Sequence, residues 1–175
     1  MATFKKNDLM LDHIFDRKTK RHYLNGHVSV LHCHHYASLY TQLALDAKET
    51  ELLADTSEES FYDILVEYFD QHYLTAIEAR IDIACQYFAA VGFGKMRVNY
   101  LGEDSGEVEL LASHVDSGWI KKWGKYDRPV NYLGAGYITA MFAAVLDEPR
   151  KTFKATEVQS IVMGAKTSIF NVVRR

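Results

Sequence analysis

The hydrophobic period of this chain changes at Gly92, and that change limits the folds open to it. Before Gly92, apolar residues recur at helical spacing. After it, Met96, Val98 and Tyr100 alternate with Arg97 and Asn99, as in a half-buried strand. A first helix is read over Ser29–Lys48, where Leu31, Leu39 and Leu43 form a stripe beside Tyr36 and Tyr40. A second follows Thr56, because Thr56-Ser57-Glu58-Glu59 has the form of a capping box. Its apolar face is Phe61, Ile64, Leu65, Tyr68 and Phe69. A third starts at Thr75, with Glu78 completing the box, and buries Ile77, Ile81, Ala84, Cys85 and Phe88. Gly92 supplies its left-handed stop.

Val108, Leu110 and Ala112 alternate in a return strand beyond a turn at Gly102–Gly106, ending near His114. Asp116–Val130 reads as a connection, Asn131–Leu146 as a fourth helix, and Thr152–Val162 and Thr167–Val173 as two last strands. The order α-α-α-β-β-α-β-β indicates an α+β domain, with an antiparallel sheet of about four or five strands and the N-terminal helices packed on it. Residues 1–28 read as an N-terminal arm, with Leu9, Leu11, Ile14 and Phe15 in one short element and a turn at Asn25-Gly26. Residues 29–175 read as a single domain.

Charge and composition narrow the function. A formal charge of -3 argues against a general nucleic-acid binder. No run approaches the length of a membrane span, and Met1–Leu11 is polar, unlike a secretory leader. Two cysteines, Cys33 and Cys85, fit a reducing compartment, so the expected location is the cytoplasm. Eleven Tyr and nine Phe are enough for a thick core, an apolar pocket or a dimer surface. No dinucleotide, P-loop, nucleophile-elbow or Cys-x-x-Cys motif is present.

The last third carries a recognisable frame. A glycine-led helix (Gly134-Ala135-Gly136-Tyr137-Ile138) is followed by Thr156-Glu157-Val158-Gln159-Ser160-Ile161-Val162-Met163-Gly164 and by Ser168-Ile169-Phe170-Asn171-Val172. This resembles the C-terminal signature of the 4-vinyl reductase family, the hydrocarbon-binding domains. The resemblance covers Gly134–Val173 and extends in part to Ile81–His114. It implies the same element order, shared with sensor domains of aromatic-responsive transcription activators and with transport-particle subunits. In zinc-bearing relatives a cysteine at the Gly-rich helix and a Glu-x2-Cys-x7-Cys segment hold the metal. The matching positions here are Gly134, Glu157, Ser160 and Ser168, with the spacing kept and the thiols gone. One carboxylate and neutral hydroxyls are poor zinc ligands, so no structural zinc is expected. The expectation is that the serines bond neighbouring backbone and that Met163, Ile169 and Phe170 hold the loop by packing.

The resemblance also implies a pocket between helices and sheet. Its proposed walls are Tyr87, Phe88, Leu111, Tyr137, Ile138 and Met141, with His114 and Trp119 as polar groups that orient the ligand. A water-facing His114 and a core-filling Trp119 remain equally open. His32 and His35, one turn apart in His32-Cys33-His34-His35, are a weak metal pair without the His-Glu-x-x-His form. Cys85, on an apolar face, is not read as a nucleophile. The expected function is a stand-alone binding or sensor domain for a small hydrophobic or aromatic ligand, with no cofactor. It would signal through a homodimer or a separate effector protein. The alternatives are an enzyme or accessory factor acting on a tetrapyrrole or other conjugated ring, and a scaffold subunit without ligand.

Overall fold

The computed structural model describes residues 8–30 and 33–175. The expected α+β architecture is present. The chain runs β1 (His13–Asp16), β2 (Arg21–Leu24), β3 (His27–Ser29), α1 (His34–Ala47), α2 (Thr50–Gln71), α3 (Ile77–Ala90), β4 (Gly94–Leu101), β5 (Ser105–Ser113), α4 (His114–Trp123), α5 (Tyr132–Val145), β6 (Phe153–Gln159) and β7 (Ser168–Arg174). The main sheet has four antiparallel strands in the order β4-β5-β7-β6.

The arm holds more structure than one short element: β1, β2 and β3 form an antiparallel meander. Asn25 and Gly26 make its two-residue turn, with φ of 47° and 85°, the positive angles such a hairpin needs. Among the described residues the arm is tied down by bonds from Leu9 N–H to Gln86 Oε1, from Met10 N–H to the Tyr68 hydroxyl, and between His27 and Glu67 at 3.2 Å.

Several boundaries differ from the sequence reading. The helix α2 does not wait for Thr56; it starts at Thr50, and Thr56 lies inside it, its hydroxyl donating to Leu52 O at 2.8 Å. A mid-helix threonine satisfied by back-bonding leaves no break. Likewise Ala76, not Thr75, caps α3, without a side-chain bond, and Ile77 is exposed. The stop at Gly92 is real: φ is 87°, and Gly92 N and Phe93 N bond back to Ala89 O and Phe88 O. The rings of Phe88 and Phe93 meet at 5.5 Å, the apolar contact that accompanies this cap.

The segment read as a connection after Asp116 contains α4. Ser113 caps it, its hydroxyl accepting from Asp116 N–H at 3.1 Å. On α1 the apolar stripe faces outward: Tyr36, Leu39, Tyr40 and Leu43 are exposed, while Ala37, Ser38 and Thr41 are buried. Small side chains let α1 approach α4 at Gly118, where a Cβ would stand 2.7 Å from His34 Cβ. Leu31, part of the stripe as read, lies outside the described residues.

At the centre is α5, buried at every residue from Gly136 to Val145. It lies between α2 and the sheet. Arg80 of α3 clamps its end, donating to Val145 O at 3.1 Å and pairing with Asp147 at 2.6 Å. Gly136 permits the α2 contact: a Cβ there would sit 2.2 Å from the backbone oxygen of Ala54. Backbone cannot step aside as a side-chain tip can. Gly136→Ala is therefore expected to destabilise the fold by about 1–3 kcal/mol, the usual cost of overpacking, read from urea denaturation of the two proteins.

Candidate functional site

Five of the expected pocket walls come together. Tyr87 and Phe88 on α3, and Tyr137, Ile138 and Met141 on α5, all lie in the main core. The rings form a box with Phe61 of α2 and Phe93: Phe61–Tyr137 centroids are 4.8 Å apart, Phe88–Tyr137 4.9 Å and Phe61–Phe93 5.6 Å, mostly edge to face. Phe61 and Phe93 are only half-buried and bring the box to the surface. The Tyr137 hydroxyl donates to Ala84 O at 2.7 Å, and burial pushes its pKa well up. It stays a neutral phenol. Burial also raises the Cys85 thiol to about 11, which leaves it an inert thiol at neutral pH.

The sixth wall is a correction. Leu111 is 36% exposed, on the outer side of β5, and Leu110 takes the inward place. Strand alternation sends neighbours to opposite faces, so only one of the two leucines can line the interior.

The expected polar pair sits in a different layer. Trp119 is buried in a second cluster with Val130 and Val162, flanked by Trp123 and Tyr126 rings at 4.6 and 5.2 Å. His114 opens α4, half-buried, and its N–H donates to Phe93 O at 2.9 Å. That bond joins the α4 layer to the aromatic box. The facing helix α1 brings His34, whose ring is 6.1 Å from that of His114. His34 Nε2, Ser38 Oγ, Trp119 Nε1 and Asp116 Oδ1 are all buried without a hydrogen-bond partner among the described residues. Desolvation first, then His35, Lys121 and His114, hold the His34 pKa down. His35 is exposed, and His32 lies outside the described residues. Among those residues no group of three or more His, Cys, Asp or Glu could hold a metal.

The Gly134–Glu157–Ser160–Ser168 frame is occupied by a hydrogen-bonded junction. Its hub is Asn131, which the sequence reading passed over. Asn131 Oδ1 accepts from Gly134 N–H at 2.9 Å, capping α5. Its Nδ2 donates to Ser113 Oγ at 3.0 Å and to Asp116 Oδ2 at 3.1 Å. Its backbone N–H donates to Glu157 Oε2 at 3.3 Å. Gly134 thus brings only backbone. Ser160 and Ser168 are buried and accept from Val162 N–H at 3.2 Å and Ile161 N–H at 3.0 Å. The 160–165 turn is closed by its own backbone bonds, one of them from Met163 N–H, and by buried Val162; Phe170 is buried in the main core, and the Met163 residue is 49% exposed.

No family model matches this chain, and no curated protein does. Solved structures do. The sensory domain of the phenol-responsive transcription activator PoxR, solved with phenol, is similar with a TM-score of 0.77 at 14% identity, covering 93% of this chain and 84% of its own. A vinyl-4-reductase family protein from Methanocaldococcus jannaschii gives 0.50 at 16% identity, over 70% of this chain and 68% of that one. A trafficking protein particle complex subunit 3 from Naegleria fowleri, covalently bound to palmitic acid, gives 0.51 at 15% identity, over 80% and 90%. At these identities the likeness is one of fold. No helix among the described residues is long and apolar enough to cross a membrane.

The junction has an electrostatic consequence. Burial, then the nearby charge of Asp116, raises Glu157 from 4.5 to about 7, and burial raises Asp116 as well. The folded protein thus keeps the Glu157 proton to higher pH than the unfolded chain does. Stability from this group is complete below about pH 4.5 and is lost as pH rises through about 7. At pH 8 its ionisation is expected to cost about 2–4 kcal/mol. Glu157→Gln should therefore raise the melting temperature more at pH 8 than at pH 5. Equal shifts at both pH values would contradict the assignment.

Proposed function

We propose that this domain binds a compact aromatic or apolar molecule carrying one polar group, of the phenol kind. The observation that carries the reading is the Trp119 indole N–H, buried without a partner among the described residues in the α4 cluster with Val130 and Val162, next in the chain to Gly118, which meets His34 and Ser38 of α1. A buried donor without an acceptor costs on the order of 1–3 kcal/mol, and a ligand oxygen would remove that cost. The apolar wall is the aromatic box of Phe61, Phe88, Phe93 and Tyr137, joined to α4 through the His114–Phe93 backbone bond. The likeness to a phenol-responsive sensory domain supports the same reading. On this reading, apolar burial supplies affinity and the indole supplies orientation.

Phenol and toluene separate these two contributions. Calorimetric titration is expected to show both binding, phenol more tightly. Trp119→Phe should weaken phenol about three- to tenfold, as the loss of one neutral hydrogen bond does, and leave toluene unchanged. If neither compound binds at millimolar concentration, the domain is a scaffold and the reading fails.

The signal would pass through a homodimer or a separate effector. Tyr36, Leu39, Tyr40 and Leu43 form an exposed apolar stripe on α1, and the ligand layer lies on the opposite side of that helix. A second copy packed on this stripe would register any shift of α1 against α4. Wild-type protein is expected to sediment as a dimer at micromolar concentration, and Leu39→Asp with Leu43→Asp as a folded monomer. A monomeric wild type would remove the dimer from this reading.

A further inference from the structure

A cavity of about 410 Å³ opens away from the aromatic box, between the first turns of α2, the start of α5 and the edge strand β6. None of the expected wall residues lines it. It exists because α2 and α5 touch at Gly136 and Ala54, which form part of its lining with Ala135 and Ala155. These small side chains give an apolar floor. Its volume lies in the usual range for small-molecule sites.

The charges around it are of two kinds. Those at the rim are mostly exposed: Lys154 pairs with Glu51 at 2.7 Å, Arg128 with Asp127 at 3.1 Å, and Asp55 and buried Glu58 with Lys151, while Arg175 lines the rim with no ion pair among the described residues. Exposed, paired charges contribute little to binding. Glu157 is different. It lines the cavity and is mostly buried, and it stands next to fully buried Asp116. Asn131 bridges the two carboxyl groups, and the other groups on them are the hydroxyls of Ser113, Ser160 and Ser168. No cation pairs with either carboxylate among the described residues. Asp116 Oδ1 has no hydrogen-bond partner there, and Glu157 accepts a long bond from Asn131 N–H at 3.3 Å beside the two serine hydroxyls. Above about pH 7 Glu157 ionises beside Asp116, and the two carboxylates, with no ion pair among the described residues, create a negative field at the buried end of the cavity. In a partly desolvated site that field outweighs the rim.

We propose that this cavity is a second binding site, separate from the aromatic interior, and that it takes a small organic cation. An amine, amidine or guanidinium group pairs with Glu157, and the ligand's apolar body rests on the floor of Ala54, Ala135, Gly136 and Ala155. A cationic nitrogen with several N–H donors suits a buried carboxylate that only neutral groups now touch. The site does not resemble a metal centre, because one carboxylate, amide and hydroxyl oxygens offer too few strong ligands at the cavity end.

Three probes of nearly one shape test the sign of the site: benzamidine, benzamide and benzoate. Calorimetric titration at pH 8 is expected to show benzamidine binding about tenfold or more tighter than the other two, since a charged hydrogen bond is at stake. Glu157→Gln should erase that preference in a protein that melts no lower than wild type. Ala135→Phe, which fills the cavity, should abolish benzamidine binding while phenol binding persists, and Trp119→Phe should leave benzamidine untouched. The proposal is overturned if benzamide or benzoate binds as well as benzamidine, if Glu157→Gln keeps the preference, or if benzamidine does not bind at all. Zinc binding that competes with benzamidine at Glu157 would also overturn it, by making the site a metal site.

Discussion

The side chain of Asn131 is where the domain's separate pieces are made to agree. Its oxygen caps α5, its amide nitrogen holds Ser113 and Asp116 at the head of α4, and its backbone N–H holds Glu157 of β6. The end of one strand, the starts of two helices and the edge of the sheet meet at that one residue. Removing it would leave an uncapped helix and an Asp116 carboxyl with no amide donor, both inside the protein, where unsatisfied polar groups cost most. The aromatic box, the α1–α4 layer and the open cavity all border elements that this junction positions.

The junction also explains how the C-terminal turn is held with serines at positions 160 and 168. Their hydroxyls accept from backbone N–H groups two residues on, and across the turn, at Val162 and Ile161. Neutral hydrogen bonds are weaker than metal–thiolate bonds, and the turn adds three backbone bonds of its own between 160 and 165. A cost remains. Glu157 and Asp116 stay buried, and with no cation paired to them among the described residues each holds its proton more tightly than an ordinary carboxyl does.

What could be read from the sequence follows from the range of each signal. The change of period at Gly92 gave the helix-to-sheet transition, and Asn25-Gly26 gave its hairpin turn, because both signals are local. The α1 stripe was legible as a helix but not as to which side faces in. Ala37, Ser38 and Thr41 are buried because α4 needs close approach at Gly118, a demand made by another part of the chain. The box at Thr56 misled because its capping bonds lose to continued helix once α2 has started at Thr50. The real N-cap, Ser113 in Ser113-His114-Val115-Asp116, carried the same signal for α4 and was hidden by the end of a strand. Asn131 carried a signal too, an N-cap residue ahead of a buried helix, but its link to Glu157 spans 26 residues and no periodicity reports it. Tyr87, Phe88, Tyr137, Ile138 and Met141 were read as one interior and share one core, because helical spacing fixes inward faces. Trp119 and His114 sit on a helix that was not recognised, so the sequence could not separate their layer from that core.

That separation bears on how the proposed binding would work. An aromatic box alone binds any greasy ring and distinguishes little, since apolar burial is proportional to area and indifferent to direction. A buried indole N–H and a neutral imidazole in the next layer make orientation count, because each is costly when unmatched. Under the proposed function, placing them on α1 and α4, rather than on the sheet, would let a ligand's polar group act on the contact between two helices. Of these, α1 is the one whose buried side is made of small residues and whose other side is an exposed apolar stripe. A helix held by few large contacts shifts at lower cost than one locked by aromatic packing, as α5 is. Differential contact with such an element is what a ligand needs in order to change a protein's state rather than merely occupy it.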